Sequence, residues 1–538
     1  MTQAQGAFRD DRVARLGDNP RMQNAQPLFR VLLLTLPLLW SAASALHADA
    51  RPPQAGIDPQ RLSAFVEGGM ELWQAPGLAV AVISSDPVLY QRGFGTTALK
   101  GGAPVDEHTL FANASTTKAM VAAGLLMLVD EGRLGLDGVV ASYLPELQFK
   151  DPLLTRELTL RDLLSHRSGL PSTDFWTFFQ NMPLDEQVER LAAVEAASPL
   201  RTRHIYQNTM YDLAGLIIER VSGQRWDRFL AERLWQPIGM RETFGARGQI
   251  GAEFSHVLPH SFIDGTVAVT AWDLPGALAD AASSAWTSLH DMSLWAQFLL
   301  RGGVTADGQR LLSAGSFEEF FKPQTLIGKK DFYPVAALTE PHWRSYALGW
   351  FQQDFQGRPI DFHTGSLSGL IALIGLDRAG DRAVVVLGNR DHAELRHAIL
   401  WEVMDRNPPG ERRDWNQAVF ELYRDAAAAR AADWQDTERL RLRKTKPALP
   451  LTAYAGRYEN PALGILTIEV ARRDMLLRTA RLALPMSHWH LDTFLVEHAP
   501  WELREFAEFR IAPDGKVASF DLFGETFSAA DGADSDTP

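Results

Sequence analysis

The chain of 538 residues contains no cysteine. That absence excludes disulfides, thiolate zinc sites, iron–sulfur clusters, a cysteine nucleophile and a lipidated N-terminal cysteine together. Positive charge is in deficit, with Lys+Arg 53 against Asp+Glu 66 and a formal net charge of -13. Such a field repels phosphate backbones and anionic lipid, so nucleic acid is excluded as the expected partner. Long apolar runs are scarce. The one candidate, Val31-Leu-Leu-Leu-Thr-Leu-Pro-Leu-Leu39 with Trp40, falls short of the roughly 20 apolar residues that cross a bilayer and contains Pro37. There is no Gly-x-Ser-x-Gly, and with it goes the nucleophile elbow of the α/β-hydrolases. No internal repeat is visible. Chemistry, if there is any, falls to Ser, Thr, Lys, His, Tyr or carboxylates.

What is present is an ordinary globular composition, 46% hydrophobic and 22% charged, in a chain long enough for two to four domains. Arg30, the apolar run and the small residues Ser41-Ala-Ala-Ser-Ala45 follow the order of a secretory signal, with cleavage expected after Ala45 or Ala50. Residues 1–45 are therefore read as a signal region and the mature protein as periplasmic or secreted. The polar stretch before it is long for a signal, which makes Met22 a candidate start.

From Pro59 the pattern predicts a helix, then two β-rich runs, Gly77 to Ser84 and Val88 to Phe94, a helical middle, and a second pair of strands at Leu370–Leu376 and Arg382–Leu387. Strands at both ends of a helical segment imply an α/β fold: an antiparallel sheet flanked by helices, with an all-helical subdomain. The expected domains are 51–410, a helical linker at 411–446 after the breaker Asn407-Pro-Pro-Gly410, and a small β-barrel-like domain at 447–538. Six short strands are legible in that last piece. His488 and His490 alternate onto one strand face there, without the third ligand that a metal site needs. No metal and no cofactor is called for.

Ser115-Thr116-Thr117-Lys118 opens a helix expected over Thr116 to Glu131, with Met120, Val121, Leu125, Leu128 and Val129 on its apolar face. A serine at a helix N-terminus has the positive end of the dipole beside its hydroxyl. Lys118, three residues on, leans back toward it. A buried lysine of lowered pKa can supply the base that a weak hydroxyl nucleophile needs.

Tyr206-Gln207-Asn208 and His363-Thr364-Gly365-Ser366 follow in order. With them the chain resembles the serine β-lactamase and penicillin-binding-protein superfamily, in its class C β-lactamase, DD-peptidase and esterase branch. Leu158 to Pro171, Tyr211-Asp-Leu-Ala-Gly215 and Tyr346-Ala-Leu-Gly-Trp350 look like the same family, and Ala455-Gly-Arg-Tyr458 resembles the lipocalin-like domain appended to many of its hydrolases. The resemblance implies an acyl-enzyme on Ser115, Lys118 as its proton partner, and Tyr206 as a second base whose phenolate is favoured by the lysine. It implies that Asn208 holds Lys118 and the substrate amide, and that the N–H groups of Ser115 and Ser366 form the oxyanion hole, with Thr364 and Gly365 lining the substrate. The departure is His363, where β-lactamases and DD-peptidases usually have lysine. A mostly neutral imidazole offers little to a substrate carboxylate and is expected to titrate in the working pH range.

The expectation is an exported hydrolase of amide bonds in small peptides or amides, including ones with D- or non-standard residues. Carboxylesterase, β-lactamase and a non-catalytic penicillin- or peptide-binding sensor are the alternatives. Phe175, Trp176, Phe178 and Phe179 are either core or the wall of a substrate pocket.

Overall fold

A computed structural model describes residues 57–263, 265–270, 280–408, 410–471, 474–498 and 503–530. The export segment read in the sequence lies outside these residues. Among them no helix is long and apolar enough to cross a membrane.

The Pro59–Trp73 helix starts where Asp58 accepts from the N–H groups of Gln60 and Arg61 at 3.0 and 3.1 Å, and stops at Gln74 in a left-handed conformation. Eight antiparallel strands then form one sheet in the order 88–95, 77–83, 382–388, 370–377, 358–367, 351–355, 344–346, 325–326. Chain-distant pieces meet at its centre, where Leu78 opposes Gly388 and Ile83 opposes Ala383. Strands Gly77–Ile83 and Leu370–Asp377 are buried at every residue, because both faces of the sheet are covered. Leu78, Val80 and Val82 pack with the helices Pro59–Trp73 and Leu395–Met404, whereas Ala79, Ala81 and Ile83 face the helices Thr117–Asp130 and Leu289–Leu300. The near-continuous apolar runs of the sequence are the signature of that double cover.

The helix Thr117–Asp130 departs from the one-sided pattern expected of it. Every residue from Thr117 to Leu128 is buried, since the sheet lies on one side and the helical subdomain on the other. Gly124 allows the second contact: a Cβ there would stand 2.5 Å from Leu230 Cδ2.

After the helix Trp415–Leu440 the chain closes an eight-stranded barrel running from Gly456–Asn460 to Glu525–Ala529. The strand Ala483–His490, interrupted by Pro485, was read only at its His488 and His490 end, and Glu525–Ala529 escaped the sequence reading. The latter closes the barrel by pairing Ser528 and Ala529 with Glu459 and Tyr458. The interior is filled by Tyr454, Tyr458, Phe494, Phe509, Phe520 and Phe527, all buried. One end of the barrel sits on the short helical segment Trp176–Gln180 of the main domain. Trp176 Nε1 donates to the Ala462 carbonyl at 2.8 Å, Arg481 Nη1 donates to the carbonyls of Thr177 and Phe178, and Phe523 packs on Phe175 and Phe179 at ring distances of 5.5 and 5.4 Å. The aromatic cluster left open between core and pocket wall is thus the seat of the second domain.

Candidate active site

Ser115 lies in the single turn Ala114–Thr116 that precedes the helix Thr117–Asp130. Ala114 has φ +47, a left-handed conformation that costs a residue with a Cβ roughly 1 to 2 kcal/mol. Such strain persists only where the surroundings fix it. The strand Arg358–Leu367 does so from one side. A Cβ on Gly365 would lie 2.6 Å from the Asn113 carbonyl oxygen and 3.0 Å from the Ser115 nitrogen, so only glycine lets His363-Thr364-Gly365-Ser366 run this close to the serine.

Lys118 is fully buried. Its Nζ donates to Ser115 Oγ at 3.0 Å, Asn208 Oδ1 at 2.7 Å and the Ala282 carbonyl at 2.9 Å. Burial lowers its pKa from 10.5 to about 8, against the opposing pull of Asp280, Asp212 and Asp174. When Nζ is neutral it keeps two N–H bonds and a lone pair. Asn208 Oδ1 and the Ala282 oxygen can only accept, so they take both N–H bonds and the lone pair is left for the Ser115 hydroxyl. Asn208 cannot turn, because its Nδ2 donates to Asp174 Oδ1 at 2.8 Å.

Burial raises the pKa of the Tyr206 hydroxyl well above 10.0, against the lowering influence of the Ser115 hydroxyl nearby. Tyr206 stands as a phenol, not as the phenolate expected from a nearby cation. Lys118 Nζ lies 5.0 Å from the centre of the ring, and the lost hydration of the charged form outweighs that attraction. His166, itself at φ +54, accepts the Gln207 N–H at Nδ1, 3.1 Å away, and lies 4.3 Å from the Tyr206 ring. It fixes the segment that carries Tyr206 and Asn208.

His363 is also buried. Nδ1 donates to the Thr364 carbonyl at 2.7 Å, which leaves Nε2 to accept from the Tyr346 hydroxyl at 2.9 Å. Its pKa falls to about 3, mainly through burial and then through Lys118. The titration expected near neutrality is therefore displaced below the working range, and both ring nitrogens are engaged inside the protein. Thr364 Oγ1 meets the Tyr333 hydroxyl at 2.6 Å. The Gly365 carbonyl and Ser366 Oγ, the latter at 2.9 Å, accept from Arg396, which is paired with Glu394 at 3.0 Å. Because a peptide N–H points opposite to its carbonyl, this guanidinium fixes the direction of the Ser366 N–H.

Ser115, Lys118, Tyr206, Asn208, His363, Thr364, Gly365 and Ser366 thus come together around one hydroxyl. Asp174, Asp280, Ala282 and Arg396 were not singled out in the sequence, because no motif marks them. Asp212, Tyr346 and His166 did lie in stretches that resemble the family, without a role attached. His488 and His490 are spent on backbone: one contacts the Leu491 carbonyl and the other accepts from the Leu442 N–H.

A family model described as Beta-lactamase matches residues 62–406, and one described as a domain of unknown function (DUF3471) matches 440–534. An unguisins hydrolase of Aspergillus campestris is 27% identical over 87% of this chain and 89% of its own. Among solved structures, an octameric penicillin-binding protein homologue from Pyrococcus abyssi superposes with a TM-score of 0.58 at 20% identity over 88% of this chain and all of its own. A D-stereospecific amidohydrolase from Streptomyces sp. gives 0.53 at 22% identity over 64% of this chain and 99% of its own. These two likenesses are of fold. The first family model spans more than half of the sequence, includes the serine, lysine, tyrosine and histidine elements described above, and makes this chain a member of the β-lactamase family, a hydrolase fold here followed by a closed eight-stranded barrel.

Proposed function

We propose that the protein is a serine hydrolase that forms an acyl-enzyme on Ser115 and cleaves amide bonds of small peptides or amides, including ones with D- or non-standard residues. The observation that carries this reading is the lone pair of Lys118, aimed at the Ser115 hydroxyl by two partners that can only accept. Neutral Lys118 takes the Ser115 proton as Oγ bonds to the substrate carbonyl carbon. The carbonyl oxygen gains the electron pair and is met by the N–H groups of Ser115 and Ser366, donors typically worth roughly 3 to 4 kcal/mol each. Collapse breaks the C–N bond. The leaving nitrogen takes the Tyr206 proton, a role suited to a phenol held in its neutral form, and the Lys118 ammonium replaces it. Water then attacks the acyl group with Lys118 again as base, releasing the acid and restoring Ser115.

Amide substrates draw support from the names of the relatives, an amidohydrolase among them. The neutral, enclosed His363 argues against substrates that depend on a carboxylate, and so against a β-lactamase. Export rests on the Arg30-to-Ala45 pattern alone; the mature chain is expected to begin after Ala45 or Ala50, which N-terminal sequencing checks. For the chemistry, intact-protein mass spectrometry with a fluorophosphonate should show one adduct on the wild type and none on Ser115→Ala. An unlabelled wild type would leave the sensor reading standing. Profiling the labelled enzyme on paired ester, D-aminoacyl amide and β-lactam substrates separates the remaining classes.

A further inference from the structure

Arg396 and Glu394 form a buried ion pair behind the strand Arg358–Leu367, and the proton steps above make no use of them. The guanidinium is divided between two neighbours. Nε and Nη2 donate to the two oxygens of Glu394, each at 3.0 Å, whereas Nη1 serves the sheet, reaching the Gly365 carbonyl, Ser366 Oγ at 2.9 Å and the Ala372 carbonyl at 3.5 Å. Glu394 Oε2 also accepts from His397 Nδ1 at 2.8 Å, since a carboxylate has no proton to give. Burial disfavours charge on both members of the pair, and their mutual attraction outweighs it, holding the Glu394 carboxyl well below its ordinary range and the Arg396 guanidinium above its own.

Stability gives a poor account of this arrangement. A buried ion pair is often no more stable than apolar residues of the same volume. Arg396 also lies in the first turn of the helix Leu395–Met404, where the positive end of the dipole opposes a cation. What its third nitrogen reaches is the peptide group that carries one of the two oxyanion donors. Side chains alternate along the strand, with Phe362 packed on the face of that helix and Leu367 on the opposite face. Thr364 and Ser366 accordingly turn theirs to Tyr333 and Arg396, and Ser366 is left its main chain to offer the substrate.

We propose that Arg396 strengthens the Ser366 N–H as well as aiming it, its charge acting through the Gly365–Ser366 peptide, and that Glu394 and His397 hold the guanidinium for that task. The carbonyl and nitrogen of a peptide share electrons. A cation on the Gly365 oxygen draws density from the Ser366 nitrogen and leaves its hydrogen more positive, a cooperative gain of about 10–30% per hydrogen bond. The inference rests on the reading of Ser115 as the nucleophile and of the Ser366 N–H as an oxyanion donor. Arg396, Glu394 and His397 touch no reacting atom and are positioning residues.

Charge and geometry are separated by two variants. Arg396→Gln combined with Glu394→Gln keeps an N–H donor behind the strand and removes both charges together, so that no buried ion is left unpaired. Arg396→Lys keeps the cation and loses the fork. The readouts are the rate of Ser115 labelling by a fluorophosphonate on its alkaline plateau and the P=O stretch of the adduct, isolated by heavy-oxygen substitution, which falls as the donors to that oxygen strengthen. The double variant should label about two- to eightfold more slowly, the share of one donor's contribution that the charge supplies, and its P=O band should rise; Arg396→Lys should stay nearer wild type in both. A double variant with wild-type rate and band would mean that aiming alone matters and overturn the proposal. So would a slowed rate with an unmoved band, the mark of packing, or a band raised equally in both variants, the mark of the fork. Where the double variant does not fold, Glu394→Gln alone decides: it leaves the cation without its counter-charge and should lower the band, and a raised band overturns the proposal. If wild type shows no labelling at all, the reading of Ser115 fails and the proposal with it, whereas a labelled wild type with unmoved variants sinks the proposal alone.

Discussion

The two flanks of Ser115 carry side chains buried to the same degree with opposite outcomes. On one, Lys118 is brought down by burial to about 8; on the other, His363 is brought down by burial to about 3. The neighbours account for much of the contrast. Lys118 faces Asp280, Asp212 and Asp174, which oppose its desolvation, whereas His363 faces the cations Lys118 and Arg396, which reinforce it. Desolvation by itself only removes charge. Carboxylates placed against it leave a base poised near neutrality, and cations added to it leave a locked ring that supports the strand. In the proposed mechanism the proton chemistry therefore falls to the lysine flank, and the histidine flank holds the strand Arg358–Leu367 in place.

The largest test of that division is Lys118→Met. It should slow acylation by roughly four orders of magnitude, as loss of a member of a catalytic unit does, while Ser115→Ala and the double variant with Lys118→Met should be equally inactive. A loss of only tenfold in single-turnover labelling would move the base elsewhere and end the contrast.

The pH dependence sharpens it next. Only neutral Lys118 can take the Ser115 proton, so labelling should rise with pH and level off above about 8. At pH 6, two units below, about one lysine in a hundred is neutral, and the rate should be roughly a hundredfold below its plateau. No second inflection is expected near 6.5, because His363 remains neutral down to about 3. An inflection at 6.5 that disappears in His363→Gln would show that the histidine flank titrates after all.

How far these flanks could be read from the sequence follows from what each depends on. Ser115, Lys118, Tyr206 and Asn208 stand in short motifs whose spacing reflects one helix turn or one loop-to-helix junction, and such local geometry survives in the letters. The double cover of the sheet was legible as well, since Leu370–Leu376 and Arg382–Leu387 read as continuous apolar runs. The pKa pattern was not. It depends on Asp174, Asp212 and Asp280 reaching one lysine from three segments, and no spacing in the chain records that meeting. The direction of the Tyr206 shift was misjudged for the same reason: a cation nearby was foreseen, the desolvation of the hydroxyl was not. Of the barrel strands, Ala483–His490 was read only at its histidine end because it contains a proline, and Glu525–Ala529 was missed because it is short and half exposed. Closure of the barrel, a long-range pairing, is what holds the second of them.

The smallest expected effect concerns the barrel, whose seat on Trp176–Gln180 adjoins the lysine flank. Asp174 fixes Asn208 and immediately precedes Phe175 and Trp176, the residues on which the barrel sits. Phe523 packs on Phe175 and Phe179 from a turn in which it holds φ +56, a strained conformation for a side chain of that size, sustained by packing. Phe523→Gly relieves the strain while deleting both ring contacts, each worth roughly 0.5 to 1.5 kcal/mol. The barrel should therefore melt no earlier, whereas the Asp174 segment loses support. Labelling of Ser115 should fall several-fold, and the acid limb should broaden or shift as Asp174 moves relative to Lys118. Phe523→Ala deletes the same contacts but keeps the strain, so it should lower the melting temperature of the barrel and slow labelling to the same extent. If both variants label at the wild-type rate, the barrel is a passenger on the lysine flank and the segment that carries Asp174 is held by the main domain alone.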